Sequence, residues 1–307
     1  MHFSISSLIL LINGLQILIG LFFNGFIVMI NCIWWLLSKK LQTIDIIIAS
    51  LGLARFCLLF DEMLDLFLKI FIPWKSESNT LLVTLLKTIS CFLISCCIWF
   101  ATLLCVFYCV KITSYNYRLF IYMKLNISRM LPWLYLVSVT ASVIFSVPSA
   151  FFCLPLLTFN STNDFENSSE DHSDMEMHYQ VEIIIQTISS VLPLPIFCFA
   201  ISLLIRSLWN HTRHMTSKDS GFRNPQLQAH FSAIKNMLSF LFFHIIYFIS
   251  IILWPLASHT NNDIWLALLS VPYIAYPSLH TIILIFSNIK LKQTLVSITY
   301  CCHKNNT

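Results

Sequence analysis

Residues 5–37 contain no Asp, Glu, Lys or Arg, and most of them are apolar. Further apolar runs lie at about 44–71, 81–110, 130–157, 181–208, 231–257 and 264–287. Each reaches the roughly 20 residues that a helix needs to cross the hydrocarbon of a bilayer. Lipid offers the backbone no hydrogen-bond partner, so such runs must close their own bonds as helices. A chain that is 57% hydrophobic and only 10% charged is far from a soluble domain, where about a quarter of residues are charged. The expected fold is an all-α membrane protein: a seven-transmembrane helix bundle over 1–307, with a cytoplasmic tail at 288–307 that begins as a short interfacial helix. No internal repeat, low-complexity tract or soluble domain interrupts it.

Charge order predicts the topology. The turn after span 1 carries Lys39 and Lys40. The second internal loop carries Lys111, Arg118, Lys124 and Arg129, and the third Arg206, Arg213, Lys218, Arg223 and Lys235. Lys290, Lys292 and Lys304 follow in the tail. The opposite side gathers Asp164, Glu166, Glu170, Asp171, Asp174 and Glu176 in one loop. Basic loops stay cytoplasmic. The expected placement is therefore a multi-pass protein of the plasma membrane, amino terminus extracellular and carboxyl terminus cytoplasmic. With no Lys or Arg before Lys39, the start lacks the basic n-region of a signal peptide, and span 1 is expected to remain in the mature protein. On such a chain the basic loops read as topology and not as nucleic-acid binding.

The eleven cysteines do not make a disulfide framework, because nine fall inside spans, where they act as small apolar fillers. Cys301 and Cys302 lie in the tail behind Lys290 and Lys292, a setting suited to palmitoylation that would pin the interfacial helix to lipid.

Charges within spans are costly, about 2.5–3.5 kcal/mol at the helix centre on insertion scales. Arg55 in span 2 must therefore find partners on neighbouring helices, and Asn24 and Ser278 lie at similar depth. The group reads either as a structural clamp or as a clamp that rearranges on activation. Asp61, Glu62 and Asp65 occupy the outer half of span 2, with Asp61 and Asp65 sharing a face. They read as a solvated rim or as an acidic pocket wall. The last span carries Pro277, which leaves a carbonyl without its helical partner, and His280. His230, His244 and His280 lack the spacing and companions of a metal site. No GxSxG, HExxH or P-loop pattern occurs, and no second acid in another span completes a catalytic pair. Neither enzyme activity, metal nor cofactor is expected.

Six segments in order resemble one family, the type 2 taste receptors, seven-helix G protein-coupled receptors for bitter compounds. They are NGFIVMINCI (24–33), TIDIIIASLGLARF (43–56), IWFATLLCVFYCVKI (98–112), SLWNHTRHM (207–215), GFRNPQLQAHFSAIKNMLSFL (221–241) and AYPSLHTIILIFSNIKLKQ (275–293). Phe107-Tyr108-Cys109 stands where rhodopsin-like receptors carry D/E-R-Y, and the second external loop has no cysteine; both fit this family. The resemblance implies that a small bitter agonist enters an outer pocket between spans 3, 5, 6 and 7. A gustducin-like heterotrimeric G protein would then dock on the basic inner face. Pocket candidates are Ser90, Ile94, Gln186, Ser189, His244, Tyr247, Ser270 and Tyr273, with Asp61 and Asp65 at the rim; for each, interhelical packing is the competing role. Ser90 and Ile94 fall where many relatives carry tryptophan and asparagine, and His244 replaces the usual tyrosine. The activation network implied is Asn24, Arg55, Tyr108, Lys111, Lys235, Pro277, Ser278, His280 and Lys290.

Two other readings compete: a related chemosensory role, pheromone-like or non-gustatory, and a small-molecule transporter. The transporter predicts matched Gly- or Pro-broken spans in two related halves, and five glycines in the whole chain do not supply them. Glycosylation tests the topology. Asn160 and Asn167 match the acceptor pattern in the acidic loop, whereas Asn126, Asn210 and Asn305 match it on the opposite side. A glycosidase-sensitive mobility shift is expected that disappears in the Asn160→Gln/Asn167→Gln double variant; glycan on Asn126 or Asn210 would invert the assignment.

Overall fold

A computed structural model of the chain describes residues 5–71, 78–113, 118–159, 183–215, 225–259 and 263–305. These residues form α1 (Ile5–Ser38), α2 (Thr43–Phe71), α3 (Ser78–Ile112), α4 (Arg118–Phe159), α5 (Leu194–Met215), α6 (Pro225–His259), α7 (Asp263–Ser287) and α8 (Ile289–Asn305). A helical stretch at 183–191 leads into α5 and forms one span with it. Seven helices are long and apolar enough to cross a membrane, and no strand occurs among the described residues. The protein is a multi-pass, seven-helix membrane bundle.

Hydropathy and helix length disagree most at α4. The apolar run predicts a start near 130, but the helix begins at Arg118. Arg118, Lys124 and Arg129 thus stand on helical turns and not in a loop; Lys124 Nζ donates to the carbonyl of Thr113, 2.9 Å away at the end of α3. At about 1.5 Å per residue, α4 is longer than the roughly 30 Å of hydrocarbon, so part of it extends past the apolar layer. In the fifth span, Pro193 and Pro195 each lack a backbone donor, and the helix yields to a turn at Leu192 and Pro193. The carbonyl of Pro193 then accepts from the Phe197 N–H at 3.0 Å, restarting the helix.

Helix α3 is the central element, packed against α2, α4, α5 and α6, while α7 packs against α1, α2 and α6. The main core forms where Leu51 of α2, Ile98 and Leu104 of α3, Leu204 of α5, Met237 of α6 and Ile285 of α7 meet, all buried. The bundle's outer surface is apolar, as lipid demands: Phe22, Trp133, Phe199 and Phe242 are all exposed. Asn288 separates α7 from α8 and caps the latter, its Oδ1 accepting from the N–H groups of Lys290 and Leu291 at 3.0 and 3.2 Å. Cys301 and Cys302 fall within α8; their side chains, like Asn160 and Asn167, lie outside what the structure describes.

Close approach of α1 to α7 and α2 depends on Gly20. A Cβ there would collide with Ser278 Oγ and with Cδ1 of Leu59. At Gly14, two turns earlier on α1, the nearest atom to such a Cβ lies 4.0 Å away. Gly20→Ala is therefore expected to destabilise the bundle by about 1–3 kcal/mol through overpacking. Gly14→Ala is expected to be neutral or to gain a few tenths of a kcal/mol from helix propensity, within about 1 kcal/mol. Thermal midpoints of the two detergent-solubilised variants check this pair.

Candidate ligand cavity and buried polar network

At one end of the bundle the helices part around a cavity of about 540 Å³, within the range of about 300–1,000 Å³ usual for small-molecule sites. Its lining comes from α1 (Ile9, Leu10, Asn13, Ile17), α2 (Glu62, Asp65, Leu66) and α3 (Leu86, Lys87, Ser90, Cys91, Ile94). The 183–191 stretch adds Ile183 and Gln186, α6 adds Ile251 and Trp254, and α7 adds Leu266, Ala267, Ser270, Tyr273 and Ile274. Of the residues expected from the sequence, Ser90, Ile94, Gln186, Ser270, Tyr273 and Asp65 line this cavity.

Asp61, Ser189, His244 and Tyr247 do not line it. Asp61 is buried and accepts a hydrogen bond from Ser90, which orients the Ser90 hydroxyl. Ser189 Oγ donates to Ser95 Oγ at 3.2 Å, tying the fifth span to α3. Tyr247 lies one layer deeper, its hydroxyl accepting from Gln186 Nε2 at 2.9 Å. The Nε2 of His244 faces the carbonyl of Ser190 at 3.3 Å; a carbonyl only accepts, so this nitrogen carries the hydrogen. Glu62, which the sequence offers for a solvated rim or an acidic wall, stands in the lining, and Asn13 joins it without having been singled out. Asn13 carries the signal Asn24 does, a polar side chain in a charge-free span, and Glu62 belongs to the acid triplet of span 2.

Below the cavity floor a column of rings begins. Tyr273 lies 5.5 Å from Tyr247, which is 5.5 Å from Tyr276 and 5.9 Å from His244. His244 stacks on Phe240 at 5.6 Å, and Phe240 meets His280 edge-on at 5.6 Å. The His280 Nε2 then faces the Asn236 carbonyl at 3.3 Å, joining α7 to α6. Centroid separations of 4.5–7 Å with tilted or edge geometries are those at which aromatic pairs attract.

Arg55 stands beside this column, fully buried. Its Nη1 donates to Thr281 Oγ1 at 3.3 Å, and its guanidinium lies 5.5 Å from the centre of the Tyr276 ring. Thr281 Oγ1 reaches Asn24 Oδ1 at 2.9 Å and the Pro277 carbonyl at 2.7 Å. Asn24 Nδ2 donates to the Gly20 carbonyl at 2.8 Å, and Ser278 Oγ to the Gln16 carbonyl at 2.9 Å. One hydroxyl thus gathers α1, α2 and α7. Thr281 escapes a sequence reading because a lone threonine in an apolar helix resembles filler; its spacing of four after Pro277 was the available clue.

At the opposite end, Lys290 Nζ pairs with the buried Asp45 Oδ2 at 2.9 Å and lies 5.6 Å from the Trp34 ring centre. Lys111 and Lys235 are exposed, and Tyr108 is half-buried near the end of α3. Asp45 was not expected to participate; it sits in the first turn of α2, where an acid also suits the helix dipole.

Comparison with known proteins adds an independent line. A family model described as "Taste receptor protein (TAS2R)" matches residues 1–303. Taste receptor type 2 member 2 of Homo sapiens is 31% identical over 275 residues, covering 90% of each chain. Taste receptor type 2 member 40 of Gallus gallus is 34% identical over 301 residues, covering 96% of this chain and 95% of its own. Taste receptor type 2 member 8 of Homo sapiens is 30% identical over 304 residues, 95% of each.

The hydroxyl at Thr281 is expected to carry stability that its shape does not. Thr281→Val keeps the volume but leaves Arg55 and Asn24 short of a partner, at a cost of about 1–3 kcal/mol. Thr281→Ser, which retains the hydroxyl, should keep most of that stability. Thermal unfolding of the solubilised protein distinguishes them: equal midpoints for Val and Ser would refute the role given to the hydroxyl.

Proposed function

This chain belongs to the type 2 taste receptor family, a family of receptors and not of enzymes, and on that premise we propose how it signals. The input is a small bitter-tasting agonist in the 540 Å³ cavity. The output is a heterotrimeric G protein of the gustducin kind, docked at the end of the bundle that bears Lys111, Lys235 and Lys290. That face is cytoplasmic in this proposal, the amino terminus is extracellular, and the protein works as one domain in the plasma membrane.

The observation that carries the reading is continuity. Tyr273 belongs both to the cavity wall and to the ring column, and the column reaches Arg55 through Tyr276 and the α6–α7 contact through His280. A ligand that alters the packing of Tyr273 therefore acts on groups that hold α1, α2, α6 and α7 together. It shifts the resting equilibrium only by its difference in affinity for the two arrangements, typically about 1–3 kcal/mol of coupling. Pro277 supports the proposal, since the carbonyl of Tyr273 is denied its helical donor and the turn above it bends at lower cost. Asn24, Arg55, Ser278 and His280 form the proposed switch, and Tyr108, Lys111, Lys235 and Lys290 the G protein side. Acylation of Cys301 and Cys302 would hold α8 against lipid, and Asn160 and Asn167 would carry glycan.

The Asp45–Lys290 pair fastens α8 to α2 in the arrangement seen, and we assign it to the resting state. Lys290 is 46% exposed, so the pair is screened and contributes only about 0–1 kcal/mol. Asp45→Asn and Lys290→Gln are each expected to raise agonist-independent calcium signalling up to roughly fivefold, the population shift that about 1 kcal/mol produces. The Asp45→Lys/Lys290→Asp exchange should return it toward the parent level. Basal signals that stay unchanged in both single variants would remove the pair from the switch.

A further inference from the structure

At the Lys290 end of the bundle, basic side chains stand on a surface that is otherwise built for lipid. Leu125 and Trp133, one turn to either side of Arg129 on the same face of α4, are 79% and 71% exposed. Arg129 is exposed as well. A guanidinium on such a face finds no partner in hydrocarbon. Its stem therefore runs along the apolar surface and its fork reaches for the headgroup layer.

Two contacts set the level at which Arg129 emerges. Thr43 Oγ1 and Ser128 Oγ are hydrogen-bonded at 2.9 Å, which places Arg129 beside the first turn of α2. Further along both helices the Tyr135 hydroxyl lies beside Ser50, so α2 and α4 run side by side in the same direction, each against α3. Lys39 and Lys40 immediately precede α2 and are exposed. Lys39 takes the left-handed conformation, φ 56°, and its N–H bonds the Trp35 carbonyl at 2.8 Å. That closes α1 and fixes the turn from which both lysines project.

No acid offsets this corner. Neither α4 nor the stretch from Ser38 to Gln42 contains Asp or Glu. Asp45 of α2 is buried and committed to Lys290. Lys124 is set aside, because it donates to the Thr113 carbonyl. Ile46 of α2 and Leu136 of α4 are exposed and continue the apolar surface beyond the basic cluster.

We propose that this corner binds the headgroup of an anionic phospholipid. Arg129 takes the phosphate with its two-pronged fork, and Lys39 and Lys40 supply the remaining positive charge. The Thr43 and Ser128 hydroxyls stand in the same polar layer, and the acyl chains lie against Ile46, Trp133 and Leu136. Charge complementarity selects the occupant: three cations without an acid gain from a net negative headgroup and little from a zwitterionic one. The proposal rests on this end facing the cytoplasm, the leaflet in which anionic lipids are concentrated. Because the headgroup spans the α1–α2 turn and α4, its binding raises the resistance of the bundle to heat.

The test uses the purified full chain in detergent micelles, with lipid binding read by native mass spectrometry and stability by thermal unfolding. The probes are phosphatidylserine, a phosphatidylinositol phosphate and phosphatidylcholine with the same acyl chains, and the water-soluble inositol phosphate headgroup alone. Both anionic lipids are expected to bind more tightly than phosphatidylcholine and to raise the thermal midpoint, and added salt should weaken them. Arg129→Gln and Lys40→Gln should each raise their dissociation constants about fivefold, and the double variant about twenty-five-fold. Arg129→Lys, which keeps the charge and loses the fork, should fall between Arg129→Gln and the parent. Arg206→Gln, an exposed arginine of α5, should change nothing. If Arg129→Gln does not fold, Lys39→Gln with Lys40→Gln decides the matter. Equal binding of anionic lipids and phosphatidylcholine, or anionic binding indifferent to these variants, would overturn the proposal. So would a soluble headgroup that binds as tightly as the lipid, since the site would then be one for free phosphate. Unchanged lipid binding with lost calcium signalling in Arg129→Gln would make the corner a G protein contact instead. Detergent binding is read without regard to orientation, so a failed topology shows in the glycan assay and not here.

Discussion

Hydrocarbon supplies no hydrogen-bond partner, and the polar architecture of this bundle follows from that. A polar side chain within a span finds its hydrogen-bond partners on its own helix or on a neighbour. Most of the hydroxyls do the first: Ser142, Ser190 and Ser250 each bond the carbonyl four residues back. Arg55 cannot, because a guanidinium has five donors and no acceptor. It takes the Thr281 hydroxyl and the face of Tyr276, and so draws α2 to α7. Asn24 brings α1 to the same point through Thr281. Gly20 and Ser278 then set how near α1 stands to α7. The costly residue of the bundle is also the one around which three helices are organised.

Such a centre is suited to having two arrangements. Nε and Nη2 of Arg55 have no side-chain or backbone partner among the described residues, so Thr281 carries a large share of the restraint on a buried cation. Replacing one partner by another costs less than losing all of them, which is the condition for a switch rather than a rigid staple. The ring column connects this centre to the cavity without a covalent lever. Phe240, His244, Tyr247 and Tyr276 are close-packed, and packed rings respond to displacement by changing place and not by bending. In the proposed switch, Lys290 and Asp45 stand at the far end, paired weakly enough for G protein contacts to override them.

Seven helices were legible because length and hydropathy suffice when the solvent is lipid. The depth of Arg55, Asn24 and Ser278 was legible for the same reason, since position along a span is position across the membrane. The early start of α4 was not, because Arg118, Lys124 and Arg129 interrupt a largely apolar stretch and a run read as free of charge stops short of them. The cavity was half legible. Asp61 and Asp65 share a helix face by spacing, yet Asp61 turns to Ser90 and Asp65 lines the cavity beside Glu62. Tyr247 and His244, matched to pocket positions by resemblance, lie one layer deeper in the ring column.

By itself the sequence determined which segments cross the bilayer, which side gathers the basic residues, and which family the chain resembles, because each depends on residue type and order alone. The tertiary structure decided that Thr281 joins Asn24 to Arg55, that Asp45 receives Lys290, and that Asn13 of α1 donates to Ser270 of α7. Those facts depend on rotation of each helix about its axis and on the neighbours it meets across gaps of 226 to 257 residues. No local periodicity encodes such meetings; they arise only when the helices pack together and their buried polar groups compete for the partners at hand.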